Sequence, residues 1–306
     1  MDVPEQVRIV EVSPRDGLQN ESRPVSTAVK IGLINGLARC GLKHIEVSSF
    51  VSAKRVPQLA DAEQVFNAIE RIPGVRYSAL VPNEKGLDRA LAARVDQIAV
   101  FTAASETFCT RNIECSIDES LRRFEPVVKR AATAGISVRA YISCVLGCPY
   151  EGPVGPQRVA DLARELFLLG CEEISLGDTI GFGTPSAAQA MIAACAEQVP
   201  IHHLAVHFHD TRGQALANIL ASLQMGITVV DASVAGLGGC PYAPGAGGNV
   251  ATEDVVYMLH GMGVQTGVDL HHLIEVGRTV NAALGRDINR SRVGQAGLMY
   301  GNNDES

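Results

Sequence analysis

The chain has 306 residues, of which 46% are hydrophobic and 19% are charged. At about 150 residues per domain, this length allows two ordinary domains or one large barrel. The composition is that of a globular protein and excludes a disordered or fibrous chain. Acidic residues outnumber basic residues by 33 to 26, and no run of four lysines or arginines occurs. We therefore expect no nucleic-acid partner.

The N-terminal sequence shows no targeting segment: it has neither a basic stretch followed by an apolar one nor an arginine-rich amphipathic presequence. The predicted location is therefore the cytoplasm. Polar residues interrupt every apolar stretch before it reaches roughly 18 residues, so we expect no membrane span. The eight cysteines are scattered along the chain. Without a secretory signal, this distribution predicts reduced thiols.

Short apolar runs with strand character recur along the whole chain. They span residues 7–12, 44–48, 77–81, 97–102, 138–144, 173–176, 204–209 and 229–234. Helical patterns lie between most of these runs, at residues 26–40, 61–71, 116–134, 157–169, 186–199 and 214–225. Several helices end in a glycine just before the next strand, as expected of helix C-caps, at Gly41, Gly135, Gly170 and Gly226. This alternation of strands and helices predicts parallel strands.

Eight strand–helix units with no linker between them predict one α/β domain, a single (β/α)8 TIM barrel over residues 1–306. A doubly wound open sheet is the alternative. Residues from about 253 onward, with a helical stretch at Leu270–Leu284, are expected to cap or extend the barrel. No G-x-G-x-x-G follows the first predicted strand and no G-x-x-x-x-G-K-[ST] occurs. The sequence thus gives no support for dinucleotide or nucleoside triphosphate binding.

Polar residues stand at the ends of the predicted strands, where a parallel barrel carries its active site. The first strand leads into Arg15 and Asp16, and the second carries Glu46. The seventh carries His207 and His209, and this i, i+2 spacing places both imidazoles on one face of the strand. With Asp16 they offer two nitrogen ligands and one oxygen ligand, which predicts a site for Mg²⁺, Mn²⁺ or Zn²⁺. The alternative is a pair of core histidines satisfied by neighbouring groups.

The stretch at residues 235–249 is too long and too rich in glycine for a tight turn. We predict that it is a mobile loop that closes over the substrate and carries Cys240 into the site. The alternative is a flexible connector. The thiol of Cys240 is suited to supply a proton. Asn249, at the end of the loop, offers an amide oxygen that a hard cation accepts.

Five segments of the chain match a known family of enzymes. They are SPRDGLQNE at residues 13–21, SSFVS at 48–52, SLGDTIG at 175–181, HFHDT at 207–211 and SVAGLGGCPY at 233–242. On these segments the chain resembles the 3-hydroxy-3-methylglutaryl-CoA lyase family, within the metal-dependent lyase and aldolase barrels that include the isopropylmalate synthases. The segment at 233–242 resembles the signature loop of the lyases. The Arg-Asp and His-x-His pieces alone indicate only the wider superfamily.

The resemblance implies a divalent ion and a set of site residues. The implied ligands of Mg²⁺ or Mn²⁺ are Asp16, His207, His209 and Asn249. The implied catalytic residues are Arg15, Cys240, Asp16 and His207, with support from Glu46, Asp178 and Glu253. The implied substrate-binding residues are Arg15, Gln19, Ser49, Asn112, Ser116, Ser175 and Thr179. A basic residue that the family would place after Glu21 is Ser22 here.

The implied reaction is the cleavage of (S)-3-hydroxy-3-methylglutaryl-CoA to acetyl-CoA and acetoacetate, in leucine breakdown. It needs a proton acceptor for the C3 hydroxyl and stabilisation of a thioester enolate, for which Arg15 is placed. His207 and Asp16 are both candidates for the base. The implied partner is an acyl-CoA substrate. A homodimer is the oligomeric state that we consider. Alternatives are a lyase for longer 3-substituted 3-hydroxyglutaryl-CoA, a Claisen-condensing acyltransferase, and a metal-binding barrel without activity.

Overall fold

Eight parallel strands close into a barrel in the order β1 to β8, with β1 hydrogen-bonded to both β2 and β8. The structure is a computed structural model that describes residues 2–239, 248–286 and 289–297. The strands are β1 Arg8–Glu11, β2 His44–Ser49, β3 Arg76–Leu80, β4 Gln97–Ala103, β5 Ser137–Ser143, β6 Glu173–Asp178, β7 Leu204–Phe208 and β8 Val229–Ala232. The predicted (β/α)8 TIM barrel is therefore confirmed, and the open sheet is wrong.

Helices connect the strands around the outside of the barrel. They are α1 Thr27–Arg39, α2 Ala62–Ala68, α3 Glu84–Ala92, α4 Glu106–Ile113, α5 Ile117–Thr133, α6 Pro156–Leu169, α7 Pro185–Ala196, α8 Ala215–Gln224, α9 Thr252–Gly261, α10 Leu270–Leu284 and α11 Arg292–Ala296. Each helical pattern predicted from the sequence corresponds to one of these helices. Helices α3, α4, α9 and α11 were not among the predicted patterns.

Side-chain caps explain why α3 and α4 form where they do. Asn83 accepts a hydrogen bond from the Gly86 backbone N–H at 2.9 Å and starts α3. Ser105 accepts from the Phe108 N–H at 3.1 Å and starts α4. Each cap satisfies one backbone donor that a helix start leaves unpaired. Both helices are short, at 9 and 8 residues, so their apolar periodicity is a weak signal.

The segment after β8 lies against the first strand and the first helix. The N–H of Val7, just before β1, donates to the Gln265 carbonyl at 2.9 Å. Helix α10 lies so close to α1 that a Cβ on Gly36 would come within 2.9 Å of Val276. Residues 252–284 therefore occupy the side of the barrel where β8 meets β1.

Among the described helices, none combines the length and the apolar character that a membrane crossing requires.

Gly41, which follows α1, requires a residue without a side chain for two reasons. Its φ is +92°, and an added Cβ would collide with the Gly267 carbonyl oxygen. Gly74 has a similar φ of +80° but nothing within 4 Å of the Cβ position.

We expect Gly74→Ala to lower the free energy of unfolding by about 1–2 kcal/mol, the cost of the left-handed conformation. Gly41→Ala should cost clearly more, as measured by urea unfolding, and equal losses would contradict the clash.

Candidate active site

The turn that follows β1 places two charged side chains next to each other at the C-terminal end of the barrel. Residues Ser13–Gly17 form one π-helical turn, in which the N–H groups of Asp16 and Gly17 both donate to the Val12 carbonyl, at 2.8 and 3.2 Å. Single π-helical turns are rare and occur frequently at functional sites. Arg15 and Asp16, consecutive in this turn, both line the same cavity.

The guanidinium of Arg15 is held between two carboxylates. Its Nε donates to Glu46 Oε2 and its Nη1 donates to Asp16 Oδ1, both at 2.7 Å. Arg15 is 7% exposed and Glu46 only 1%. Burial opposes the charge, but Glu46 and Asp16 raise the pKa of Arg15 above its usual value. The site therefore contains a permanent, oriented cation.

Asp16, His207 and His209 form a cluster that suits a metal ion. One ligand atom from each residue lies within 4.8 Å of the others. The two imidazole rings have centroids 5.5 Å apart. Nδ1 of His209 is buried and has no hydrogen-bond partner among the described residues. A buried, unpaired nitrogen beside a carboxylate and a second imidazole is the donor set that a divalent cation would satisfy.

The charge states of these groups also suit a cation. Burial alone would raise the pKa of Asp16, but Arg15 and the two imidazoles lower it to about 2. Burial, with the neighbouring His207, lowers the pKa of His209 to about 4. Near neutral pH the cluster therefore offers an ionised carboxylate and an unprotonated His209. Metal ligands must be in these forms.

Asn249, which follows β8 in the chain, lies next to this cluster. Its Nδ2 donates to Asp16 Oδ2 at 2.8 Å and to the Leu237 carbonyl at 3.1 Å. Its backbone forms an isolated antiparallel bridge with His209. The amide of Asn249 is thus within reach of the position that the cluster surrounds.

Below the cluster, a second arginine crosses the interior of the barrel. Arg139 on β5 donates from Nη2 to Asp231 Oδ1 at 2.6 Å and from Nη1 to Oδ2 at 2.9 Å. Its Nε donates to Glu173 Oε1 at 2.6 Å. Tyr141 lies between the two arginines, with its ring centroid 5.4 Å from Arg15 Cζ and 4.8 Å from Arg139 Cζ. The cluster therefore lies beside a buried layer in which an arginine pairs with two carboxylates.

The cavity at this end of the barrel brings together many of the residues predicted from the sequence. The predicted residues that line it are Arg15, Asp16, Gln19, Asn112, Thr179, His207 and His209. Its other lining residues include Leu80 and Phe101, which pack together. The cavity therefore combines charged and apolar lining residues.

Three of the predicted substrate-binding serines do not line this cavity. Ser49, 1% exposed, accepts from the Val51 N–H at 3.2 Å. Ser175 is fully buried and donates to Asp231 Oδ2 at 2.9 Å. Ser116 is the exposed N-cap of α5 and accepts from the Glu119 N–H at 3.2 Å. In this structure each hydroxyl serves a local structural contact.

Asp178 and Glu253 hold backbone segments near the site. Asp178 accepts from the N–H groups of Phe182 and Gly183, at 3.0 and 2.8 Å, and so fixes the loop after β6. Glu253 accepts from the Ala235 N–H at 2.9 and 3.0 Å. Ala235 has a φ of +57°, which is uncommon for a residue other than glycine. The predicted thiol, Cys240, lies outside the described residues.

Three residues of the buried layer were not predicted from the sequence: Arg139, Tyr141 and Asp231. A signal was present: Arg139 and Tyr141 stand at i and i+2 in β5 and so share one face, and Asp231 interrupts the apolar run of β8. Charged residues in otherwise apolar strands are seldom buried without partners. That pattern favours a charge pair inside the barrel.

Glu253 should give the protein a pH-dependent stability. Burial, reinforced by Glu11, raises the pKa of Glu253 to about 8, although the Ala235 N–H lowers it. The folded state therefore keeps a proton that the unfolded state loses above about pH 4.5, and the contribution of this group to stability decreases as pH rises toward 8. Through this group, the free energy of unfolding of the wild-type protein should fall by on the order of 1 to 4 kcal/mol between pH 5 and 8. Glu253→Gln should not show this fall. Denaturant unfolding across this range measures it, and parallel pH profiles for both proteins would contradict the assignment.

Two relatives of known name match nearly the whole chain. The mitochondrial hydroxymethylglutaryl-CoA lyase of Bos taurus is 58% identical over 96% of this chain and 90% of its own length. A relative from Pseudomonas aeruginosa, named 3-hydroxy-3-isohexenylglutaryl-CoA/hydroxy-methylglutaryl-CoA lyase, is 57% identical over 97% of this chain and 98% of its own length.

Solved structures give the same result. The hydroxymethylglutaryl-CoA lyase of Pseudomonas aeruginosa has a TM-score of 0.95 and 57% identity, over 97% of this chain and 98% of that chain. An HMG-CoA lyase from Acinetobacter baumannii, in complex with coenzyme A and 3-methylmalate, has a TM-score of 0.92 and 37% identity, over 99% and 97%. The HMGL-like family model matches residues 6–280. The chain therefore belongs to the HMGL-like family.

Proposed function

We propose that this protein is a hydroxymethylglutaryl-CoA lyase, which cleaves (S)-3-hydroxy-3-methylglutaryl-CoA to acetyl-CoA and acetoacetate. The observation that carries this proposal is the fixed Arg15 guanidinium beside the cluster of Asp16, His207 and His209. The guanidinium supplies a positive charge where negative charge develops in the reaction. The cluster supplies ligand atoms where the C3 hydroxyl must lose its proton. Relatives that are 57–58% identical and carry lyase names support it.

A divalent ion, Mg²⁺ or Mn²⁺, is part of this proposal. Asp16, His207, His209 and Asn249 would hold it, since three of them form the cluster and the fourth bonds to Asp16. When bound, the ion supplies Lewis-acid chemistry that eases loss of the proton from the C3 hydroxyl. This position also explains why Nδ1 of His209 is buried without a partner among the described residues.

Arg15 is assigned to the developing enolate oxygen of the thioester. Glu46 and Asp16 hold its Nε and Nη1, so the guanidinium needs no reorganisation during the reaction. A preorganised donor of this kind stabilises the transition state more than the ground state. Bond cleavage then leaves an enolate that requires a proton at carbon, and we assign that proton to the Cys240 thiol.

Both candidate bases, His207 and Asp16, belong to the proposed ligand set. The pKa of Asp16 is about 2, because Arg15 and the imidazoles outweigh its burial. A carboxylate with so low a pKa is a weak base near neutral pH. Asp16 is therefore the poorer of the two as acceptor of the C3 hydroxyl proton, and His207 can accept it only while its Nε2 is free of the ion.

The CoA portion is proposed to leave the cavity past Asn112. This residue lines the cavity near the end of α4, and Ser116 caps α5 four residues later. Arg111 lies over the ring of Tyr150, 4.2 Å from its centroid, and braces the same end of α4. The connection between α4 and α5 is therefore the proposed CoA contact.

A 3-hydroxyglutaryl-CoA with a longer 3-substituent is a second candidate substrate. The Pseudomonas aeruginosa relative is named for an isohexenyl substrate as well as for the methyl one. Leu80 and Phe101, which line the cavity and pack together, form an apolar surface of a kind that accepts an alkyl group. Cleavage rates across 3-substituents of increasing length decide between a narrow and a broad acyl specificity.

We also propose that residues 1–306 act as one catalytic domain, in the cytoplasm, as a homodimer and in leucine breakdown. The seven described cysteines form no disulfide among themselves, which suits a reducing compartment.

Metal removal tests the function directly. Acetyl-CoA formation from 3-hydroxy-3-methylglutaryl-CoA should fall to background after EDTA treatment and should return with Mg²⁺ or Mn²⁺. The measurement is a coupled spectrophotometric assay in the presence of a thiol reductant. No acetyl-CoA with either ion, on any 3-substituted 3-hydroxyglutaryl-CoA tried, would contradict the proposal and favour a barrel without this activity.

Arg15→Met should lower turnover by about 10²- to 10³-fold, which corresponds to about 2.7–4 kcal/mol of transition-state stabilisation. Mn²⁺ should still bind, as measured by the electron paramagnetic resonance signal of the free ion. Arg164→Met, which changes an exposed arginine of α6, is the matched control and should retain activity. A loss of less than tenfold in Arg15→Met, with the ion bound, rules out the assigned role.

A further inference from the structure

The two ring nitrogens of His207 face different carboxylates. Nε2 is directed toward Asp16, 3.8 Å from Oδ2, on the side of the cluster. Nδ1 lies 3.2 Å from Asp231 Oδ2, on the opposite side. Asp231 pairs in register with His207 on the neighbouring strand β8, and it is 1% exposed. The contact is therefore built into the strand pairing of the barrel.

Asp231 is held as an ionised acceptor. Arg139 donates to both of its oxygens, at 2.6 and 2.9 Å, and Ser175 donates to Oδ2 at 2.9 Å. This two-fold contact with a guanidinium is the geometry of a charged carboxylate. An ionised carboxylate can only accept hydrogen bonds. A contact between it and a ring nitrogen requires the hydrogen to be on that nitrogen.

His209 has no such partner for its Nδ1. That nitrogen is buried and unpaired among the described residues, whereas Nδ1 of His207 faces a carboxylate. The two histidines of the cluster are therefore supported differently. Tyr141 adds to the support of His207, since the two rings meet edge to face at 82° with centroids 5.9 Å apart.

We propose that Asp231, fixed by Arg139, is a positioning residue that keeps the hydrogen of His207 on Nδ1 and so turns an unprotonated Nε2 toward Asp16. A ligand or a proton acceptor at this position needs that nitrogen free of hydrogen. The inference deepens the proposed function and rests on it for the divalent ion. It does not depend on the identity of the substrate.

The test uses the full chain with Asp231→Asn, read out in two ways that do not involve turnover. The first is Mn²⁺ affinity, from the resonance signal of free Mn²⁺, which should weaken by about 10- to 100-fold. The second is the nitrogen spectrum of the metal-free, histidine-labelled protein, where the His207 signals are identified by their loss in His207→Gln. Nδ1 should carry hydrogen in the wild type and should lose it in part of the Asp231→Asn molecules.

Glu173→Gln is the matched control. Glu173 binds Arg139 from the other side and is 7% exposed, but no described contact joins it to His207. The Glu173→Gln variant removes a carboxylate from the same buried layer but changes no group that is described in contact with His207. Mn²⁺ affinity and the position of the hydrogen on His207 should therefore stay as in the wild type. An effect equal to that of Asp231→Asn would overturn the proposal, because it would reduce the role of Asp231 to general support of the layer.

Asp231→Asn leaves Arg139 buried without its main partner, so the variant can fail to fold. In that case Asp231→Asn combined with Arg139→Gln removes both charges, and the same loss of Mn²⁺ affinity is expected. Wild-type Nδ1 without hydrogen, or unchanged affinity and spectrum in the variant, would overturn the proposal. If the wild type binds no Mn²⁺, the proposed ion fails, and the nitrogen spectrum alone then decides the role of Asp231.

Discussion

The interior of this barrel depends on two arginines that remain charged away from solvent. A guanidinium loses most of its hydration on burial, and only nearby carboxylates in good geometry offset that cost. Arg15 has Glu46 and Asp16, and Arg139 has Asp231 and Glu173. Asp16 is next to Arg15 in the chain, but Glu46, Asp231 and Glu173 each lie on a strand that does not contain the arginine they bind. The barrel must therefore bring its strands together before either arginine has both of its partners, which ties formation of the site to completion of the fold.

Strand closure also determines which residues become neighbours. The turn after β1 and the end of β7 are separated by almost two hundred residues, yet Asp16 and His207 lie 3.8 Å apart. Parallel strands arranged in a ring direct all their carboxyl ends to one face, so a residue at any strand end can reach a common centre. Asn249 reaches the same centre because its backbone bridges to His209 after the chain leaves β8. The residues proposed as ligands are thus held by hydrogen-bonded backbone as well as by side-chain contacts.

The sequence predicted the barrel, and it predicted the residues of the Asp16, His207 and His209 cluster that the structure brings together. Strand ends and the i, i+2 spacing are local patterns, and parallel topology converts them into proximity. It did not predict where the side chains of Ser175 and Glu253 make their contacts. Those contacts depend on which group on another strand lies opposite, and that is a property of the closed barrel. Arg139 and Asp231 were missed for the same reason, since each is a lone charge in its own strand and acquires a meaning only across the interior.

The π-helical turn after β1 has a mechanical consequence. Arg15 and Asp16 are consecutive residues of that turn, and they are also bonded to each other at 2.7 Å. Gly17, the last residue of the turn, has no room for a Cβ, which would come within 2.9 Å of Leu237. A side chain at position 17 would therefore displace either Leu237 or the turn, and with the turn the backbone that carries Arg15 and Asp16. The segment after β8 thus limits the size of a residue that lies next to the charged pair.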